Sequence, residues 1–245
     1  MAMEKEGLSV KEARNQIWLY DSKGVVCTSR QLDHHKTKYA KDCEHVKNFE
    51  KVVDIAKPGA IIGVSAQPGL FTESIIKKMA KMNKRPLIFP LSNPTSRAEC
   101  TAEAAFQHSD GRCIFASGSP FDPVTVNGKK FFPGQGNNSY IFPGVAMAAI
   151  FCEATNIPNE TFLVAAKSLA DQVTEEMLDS GCIFPPLSQV REVSLKIAGA
   201  CADYFYQTGV ARVRPEPKNK LEFMRSKQYN FNYDGSGIEK TYFKK

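Results

Sequence analysis

Short apolar runs, rich in β-branched and aromatic residues, alternate with amphipathic stretches of roughly ten to fifteen residues over the first half of this chain. The runs are IWLYDSKG (17–24), AIIGVSAQPG (60–69), RPLIFPLSNPT (85–95) and RCIFASGSP (112–120). Between them lie VKNFEKVVDIA, FTESIIKKMAKM and SRAECTAEAAFQH, each with helical period. Parallel strands need a crossover long enough for a helix, so this alternation predicts βαβ units: an α/β fold with a parallel sheet covered on both faces. Strands are expected around residues 17–20, 60–65, 86–91 and 113–116. Thr72, with Glu73 after it, reads as one helix cap, and Ser96 with Glu99 has capping-box spacing for the next helix.

From about residue 139 the strand signals stop. SYIFPGVAMAAIFCEA, TFLVAAKSLADQVTEEML and LSQVREVSLKIAGACADYFYQ read as helices. Beyond them the chain is rich in Lys, Arg, Pro and aromatic residues. Three parts are expected: 1–137 around the sheet, a helical segment at 138–210, and an extension at 211–245.

Ligands of open parallel sheets sit beyond the carboxyl ends of the strands. Four strand ends are expected there, at residues 20–22, 64–66, 91–93 and 116–118, each with small or polar residues. Asp21 ends the first run, where an acidic residue can bind a ribose hydroxyl; it also suits the start of a DSKG turn. GVSAQPG places Val64, Ser65 and Ala66 in a loose glycine loop that lets a ligand approach backbone. LSNPT offers Leu91, Ser92 and the neutral amide of Asn93, which Pro94 biases away from helical geometry. GQGNNSY adds Asn137 and Asn138 at a helix start, one amide more than a cap requires. Neutral amides beside a helix start suit a small dicarboxylate or a nicotinamide group. His34, His35, Cys43 and His45 fit no standard zinc spacing and read as a solvated helix.

Composition narrows the class. A net charge of +6 over 245 residues, without a dense basic stripe, does not suggest a nucleic-acid surface. Seven cysteines with no CxxC pair read as reduced thiols. No apolar run reaches the length of a membrane span, and no targeting peptide is evident at MAMEKEG.

Taken together, IWLYDSKG, GVSAQPG, PLIFPLSNPTSRAEC, IFASGSPFDPV, FFPGQGNNSYIFPGV and PPLSQVREVSLKIA resemble the C-terminal part of malic enzymes, over essentially the whole chain. The resemblance implies an incomplete Rossmann-type doubly wound sheet, a helical segment that packs into an adjacent catalytic domain, and a C-terminal tail. It implies oxidative decarboxylation of L-malate to pyruvate and CO2 with NAD or NADP, in a homo-oligomer, a tetramer in the family. Asn93 and Asn138 fall on positions that contact substrate and the nicotinamide end, with Asn137 their neighbour. Asp21 falls on the adenosine ribose, Val64, Ser65 and Ala66 beside the dinucleotide, and Leu91 and Ser92 on the same cleft. Ser22 and Lys23 directly after the aspartate, with Lys36 or Lys38 further on, resemble the NADP-using branch.

The GxGxxG phosphate loop of the family is absent from this sequence. So are its catalytic Tyr and Lys and the carboxylates that hold Mg or Mn, so no catalytic or metal-binding residue is assigned here. The expectation is a cofactor-binding part, inactive alone, of a cytoplasmic or mitochondrial-matrix enzyme. The alternative is a non-catalytic truncated module that binds a dinucleotide or a subunit.

Overall fold

The computed structural model describes residues 1–229. They divide into two compact units: Met1–Ser139 with Leu169–Val190, and Tyr140–Ser168 with the described residues from Arg191 on.

In the first unit, α1 (Ala2–Lys5) and α2 (Val10–Asn15) lead in, and α2 is opened by a capping box between Ser9 and Glu12. A hairpin follows, β1 (Tyr20–Asp21) antiparallel to β2 (Gly24–Val25). Then come α3 (His34–Thr37), α4 (Phe49–Ala56), β3 (Ala60–Gly63), α5 (Glu73–Met82), β4 (Leu87–Pro90), α6 (Ala102–His108) and β5 (Ile114–Ser117). A second hairpin, β6 (Val124–Val126) and β7 (Lys129–Phe131), precedes β8 (Gly134–Gln135).

Strands β3, β4, β5 and β8 form one parallel sheet in that order. The predicted α/β class holds, with one strand exchanged. The IWLYD run was expected in the sheet, but β1 pairs only with β2. Its DSKG turn folds the chain straight back. Asp21 Oδ1 accepts from the Lys23 amide at 2.9 Å, and Gly24 takes φ +108°, with Val46 O only 2.5 Å from where a Cβ would stand. The fourth parallel strand is instead Gly134–Gln135, inside the GQGNN segment.

Helices α4, α5 and α6 cover the sheet. Thr72 caps α5 as its sequence suggests, accepting from the Ile75 amide. The α6 cap moves: the helix begins at Ala102, capped by Thr101, and Glu99 lies outside it, fully buried. The core joins Ile61, Ile75, Ile76, Met79, Ile88, Phe106, Phe115 and Phe131. Ring contacts Tyr20–Phe49 and Phe49–Phe71 tie the β1–β2 hairpin to it. The HHKTKYAKDCEH segment is helical only over α3, and within it Lys41 is buried, its ammonium donating to the Asn15 carbonyl at 2.7 Å at the end of α2.

The remaining elements are α7 (Phe142–Phe151), α8 (Glu160–Ala170), α9 (Glu175–Asp179), α10 (Val190–Gln207) and α11 (Lys220–Lys227). In the second unit α7 approaches α10 at Gly144, where a Cβ would lie 2.7 Å from the Ser194 carbonyl, and α11 packs against α7. Asn219 caps α11 within the extension. The part of that extension from residue 230 on lies outside the described residues.

All seven cysteines are free. Burial raises the thiol of Cys100, and lifts Cys113 and Cys152 to about 11 and Cys201 to about 12, so these four stay protonated and unreactive near neutral pH.

β3 is an edge strand, with Ile62 and, just beyond it, Val64 60% and 77% exposed. Unpaired backbone beside exposed apolar side chains templates further strand pairing. Expressed by itself, the chain is expected to self-associate, with a broad or early-eluting peak in size-exclusion chromatography. A monodisperse monomer with a cooperative melt would contradict this.

Candidate functional site at the strand ends

The parallel order β3-β4-β5-β8 sets the loops after these strands side by side at one end of the sheet. A fully buried carboxylate organises two of them. Glu99 Oε1 accepts from the Ser65 amide (2.9 Å), the Ser65 hydroxyl (2.9 Å) and the Ser92 hydroxyl (2.6 Å). Ser92 Oγ in turn accepts from the Ala66 amide at 2.9 Å. Ala66 has φ +53°, a left-handed conformation that costs a non-glycine residue of order 1 kcal/mol unless its surroundings hold it. Burial pushes the Glu99 carboxyl up, but the hydrogen bonds from Ser92 and Ser65 outweigh it and hold the pKa below the usual carboxylate value. The hydroxyls of Ser65 and Ser92 therefore face inward, and backbone is what this loop offers a ligand.

Asn93 is fixed from the next strand end. The Ser119 hydroxyl donates to Asn93 Oδ1 at 2.6 Å, while Ser117 Oγ donates to the Ser119 carbonyl at 2.8 Å. With its oxygen engaged and one Nδ2 hydrogen turned to the Leu91 carbonyl at a long 3.5 Å, the exposed Asn93 amide has a second Nδ2 hydrogen to donate. Gly118 makes this approach possible: a Cβ there would stand 2.2 Å from the Leu91 carbonyl and 2.8 Å from Asn93 Nδ2. A Cβ on Gly136 would lie 3.4 Å from Leu91 Cδ2, so the GQGNN loop adjoins the LSN loop.

The two asparagines of that loop divide their work. Asn137 Oδ1 accepts from the Ser139 amide at 2.9 Å and so serves the local turn. Asn138 begins a short 3-10 turn and is exposed. Both amides are exposed, but the Asn137 oxygen also closes the turn that sets the loop.

Asp21 lies in the β1–β2 hairpin, not at an end of the parallel sheet. Arg30 Nη2 donates to both its oxygens at 2.9 and 3.0 Å, and Lys36 Nζ to Oδ2 at 2.7 Å. Arg30 also holds the Gly24 and Val25 carbonyls. Ser22 is exposed beside this cluster, Lys23 joins it through its amide, and Lys38 lies over the Tyr39 ring instead. Sequence reasoning left Lys36 and Lys38 open and missed Arg30, nine residues past Asp21 in a segment without a motif. It also read Glu99 only as a helix cap and passed over Ser119.

Burial pushes the Asp21 carboxyl up, but hydrogen bonds from Lys36, the Lys23 amide and Arg30, with the Arg30 charge, bring it down to about 2. An aspartate depressed in the folded state stabilises above its unfolded pKa of about 3.9 and loses that contribution as pH falls through the folded value. Between pH 5 and pH 2 the parent should lose about 1–2 kcal/mol that Asp21→Asn does not, after allowance for solvent screening. Urea midpoints across this range test it. Equal losses in both proteins would refute the pairing.

The strand ends offer an open backbone loop and amide donors, groups suited to a dinucleotide, and the β1–β2 hairpin separately holds two cations about Asp21. For a divalent metal the fit fails, since among the described residues no group of three His, Cys, Asp or Glu side chains is assembled to hold one. Among the described residues no helix is long and apolar enough to cross a membrane.

Comparison with known proteins bears on the family and the fold. The family model described as malic enzyme, NAD binding domain, matches residues 1–206. An NADP-dependent malic enzyme of Rattus norvegicus is 51% identical over 236 residues, 96% of this chain and 41% of its own length. A mitochondrial NADP-dependent malic enzyme of Homo sapiens is 49% identical over 241 residues, 98% of this chain and 40% of its own. The chain thus spans about two-fifths of the length of these curated relatives. A solved malic enzyme of Entamoeba histolytica shares the fold, with TM-score 0.66 at 20% identity over 86% of this chain and 41% of that one. With the family's domain matched over residues 1–206, the chain belongs to the malic enzymes as their NAD-binding domain.

Proposed function

We propose that this chain is the cofactor-binding part of an NADP-dependent malic enzyme, which oxidises and decarboxylates L-malate to pyruvate and CO2. The observation that carries the NADP reading is the convergence of Arg30 and Lys36 on Asp21. A bare carboxylate beside a ribose repels a 2′-phosphate. A carboxylate already neutralised by a guanidinium and an ammonium holds two cations ready to receive one. The relatives named as NADP-dependent support the same choice.

In this reading the backbone of Val64, Ser65 and Ala66 lies beside the dinucleotide, and Leu91 and Ser92 line the cleft. Asn93 Nδ2 and the Asn138 amide donate to the substrate carboxylate and the nicotinamide carboxamide without adding charge. Asn137 supports them through the turn. Ser22 and Lys23 add a hydroxyl and a charge near the 2′ position. NADP when bound supplies the hydride acceptor. The proton acceptor for the malate hydroxyl, the acid that reprotonates the enol and the donors for Mg or Mn belong to the remainder of the protein. Residues 1–137 then carry the cofactor, 138–210 meet the catalytic part, and 211–245 extend beyond it. The complete protein is a homo-oligomer of the cytoplasm or mitochondrial matrix, the latter supported by a relative named as mitochondrial.

The test is an assay of NADPH and pyruvate formation from L-malate with Mg or Mn. The complete protein carrying this domain should turn over, and the 245-residue chain alone should show nothing above background. Turnover by the chain alone would contradict the division of labour. No turnover by the complete protein would favour a non-catalytic dinucleotide or subunit module.

A further inference from the structure

Glu99 is 0% exposed, and its Oε2 has no hydrogen-bond partner among the described residues. Desolvating a carboxylate while leaving one oxygen bare costs stability, and an apolar or neutral residue of like size would serve a core better. Every bond its side chain does make goes to one of two loops. Oε1 gathers Ser65 N, Ser65 Oγ and Ser92 Oγ, and through Ser92 it fixes the left-handed Ala66. Its carbonyl also accepts from the Phe71 amide at 3.0 Å, closing the far end of the GVSAQPG loop. The carboxylate lies directly over Gly63, where a Cβ would stand 2.3 Å from Glu99 Cδ and 2.5 Å from Oε2. The last residue of β3 is thus glycine where this side chain needs the space.

We propose that Glu99 is the positioning residue of the dinucleotide cleft: one ionised carboxylate that sets the strand-end loops 64–66 and 91–92 in the form that receives the cofactor. The inference rests on the functional reading above and names what holds the loop backbone in shape. Glu99 touches neither cofactor nor substrate. It acts through Ser65, Ser92 and Ala66.

Glu99→Gln keeps the shape but replaces the charge-assisted bonds with neutral ones. Gly63→Ala keeps the charge but drives the carboxylate from its seat. Ser92→Ala removes the link to Ala66 alone. In the complete protein, NADPH affinity by fluorescence titration and steady-state kinetics should show the same split for all three. The Kd and KM for the dinucleotide rise about tenfold or more, a larger change than the rise in KM for malate or the fall in kcat. The melting temperature of Glu99→Gln should stay within about 3 °C of the parent, because the cost of burying a carboxylate with one oxygen unbonded offsets what its three hydrogen bonds contribute. Glu103→Gln, an exposed carboxylate on α6, serves as the control without effect.

Parent-like NADPH affinity in Glu99→Gln and Ser92→Ala overturns the proposal while leaving the functional reading intact. A uniform fall in every kinetic constant together with the melting temperature also overturns it, since that marks a structural role only. A parent that binds no NADPH removes the functional reading and this inference with it.

Discussion

Gly118→Ala is expected to lower kcat/KM for malate oxidation by about a hundredfold in the complete protein, through backbone displacement. The Cβ it adds would lie 2.2 Å from the Leu91 carbonyl oxygen and 2.7 Å from its carbon. Neither atom belongs to a flexible side chain that can swing aside. Either β5 must part from the end of β4, or the Leu91–Asn93 segment must shift. Overpacking of this kind costs about 1–3 kcal/mol in stability. A displacement of about 1 Å at a positioning group costs roughly two decades in rate. Because Asn93 Nδ2 stands only 2.8 Å from the same Cβ, the amide itself is pushed from its bond with Ser119. Steady-state kinetics of purified, folded variant measure this. Parent activity would mean that the β4 and β5 strand ends do not hold the site.

The second large effect is expected at the two amides. Asn93→Ala and Asn138→Ala should each reduce kcat/KM for malate by about ten- to a hundredfold. The loss corresponds to one hydrogen bond to a charged group, about 1.5–3 kcal/mol. Asn137→Ala should cost far less, because in this reading its side chain serves the local turn through the Ser139 amide and donates nothing to the substrate. The contrast between neighbours in one loop makes the test selective. Parent-like kinetics for Asn93→Ala and Asn138→Ala would remove both from the site. Equal losses at Asn137 and Asn138 would show that the loop's shape, not a specific amide, is what matters.

Which parts of this architecture the sequence carries openly follows from local physics. Strands β3, β4 and β5 are apolar runs joined by amphipathic helices, and a parallel sheet is the one arrangement that buries both. Thr72 announces α5 because its hydroxyl serves an amide three residues on. Gly134–Gln135 announces nothing: two small or polar residues become a strand only because the Ala116–Ser117 edge is there to pair with. The β6–β7 hairpin was legible in its Asn127-Gly128 pair, both with positive φ, and strand–helix alternation passes over it. Ser96 and Glu99 mimic a capping box, yet the three donors converging on Glu99 draw it into the sheet end, and Thr101 takes over as cap. Arg30 was invisible for a related reason. Its partner is Asp21, nine residues back, and the Gly24 and Val25 carbonyls that aim it are set by the hairpin, not by any spacing.

The cations about Asp21 carry the central claim, that this domain serves an NADP-dependent malic enzyme. The direct measurement is the ratio of kcat/KM for NADP to that for NAD with L-malate, in the complete protein and in Lys36→Ala and Lys38→Ala. The parent should favour NADP by about tenfold or more, and Lys36→Ala should cut that preference about tenfold, the worth of one charge-assisted bond to phosphate. Lys38→Ala, whose ammonium lies over Tyr39, should leave the ratio within about twofold of the parent. A parent that favours NAD, or a Lys36→Ala ratio equal to the parent's, would contradict the claim.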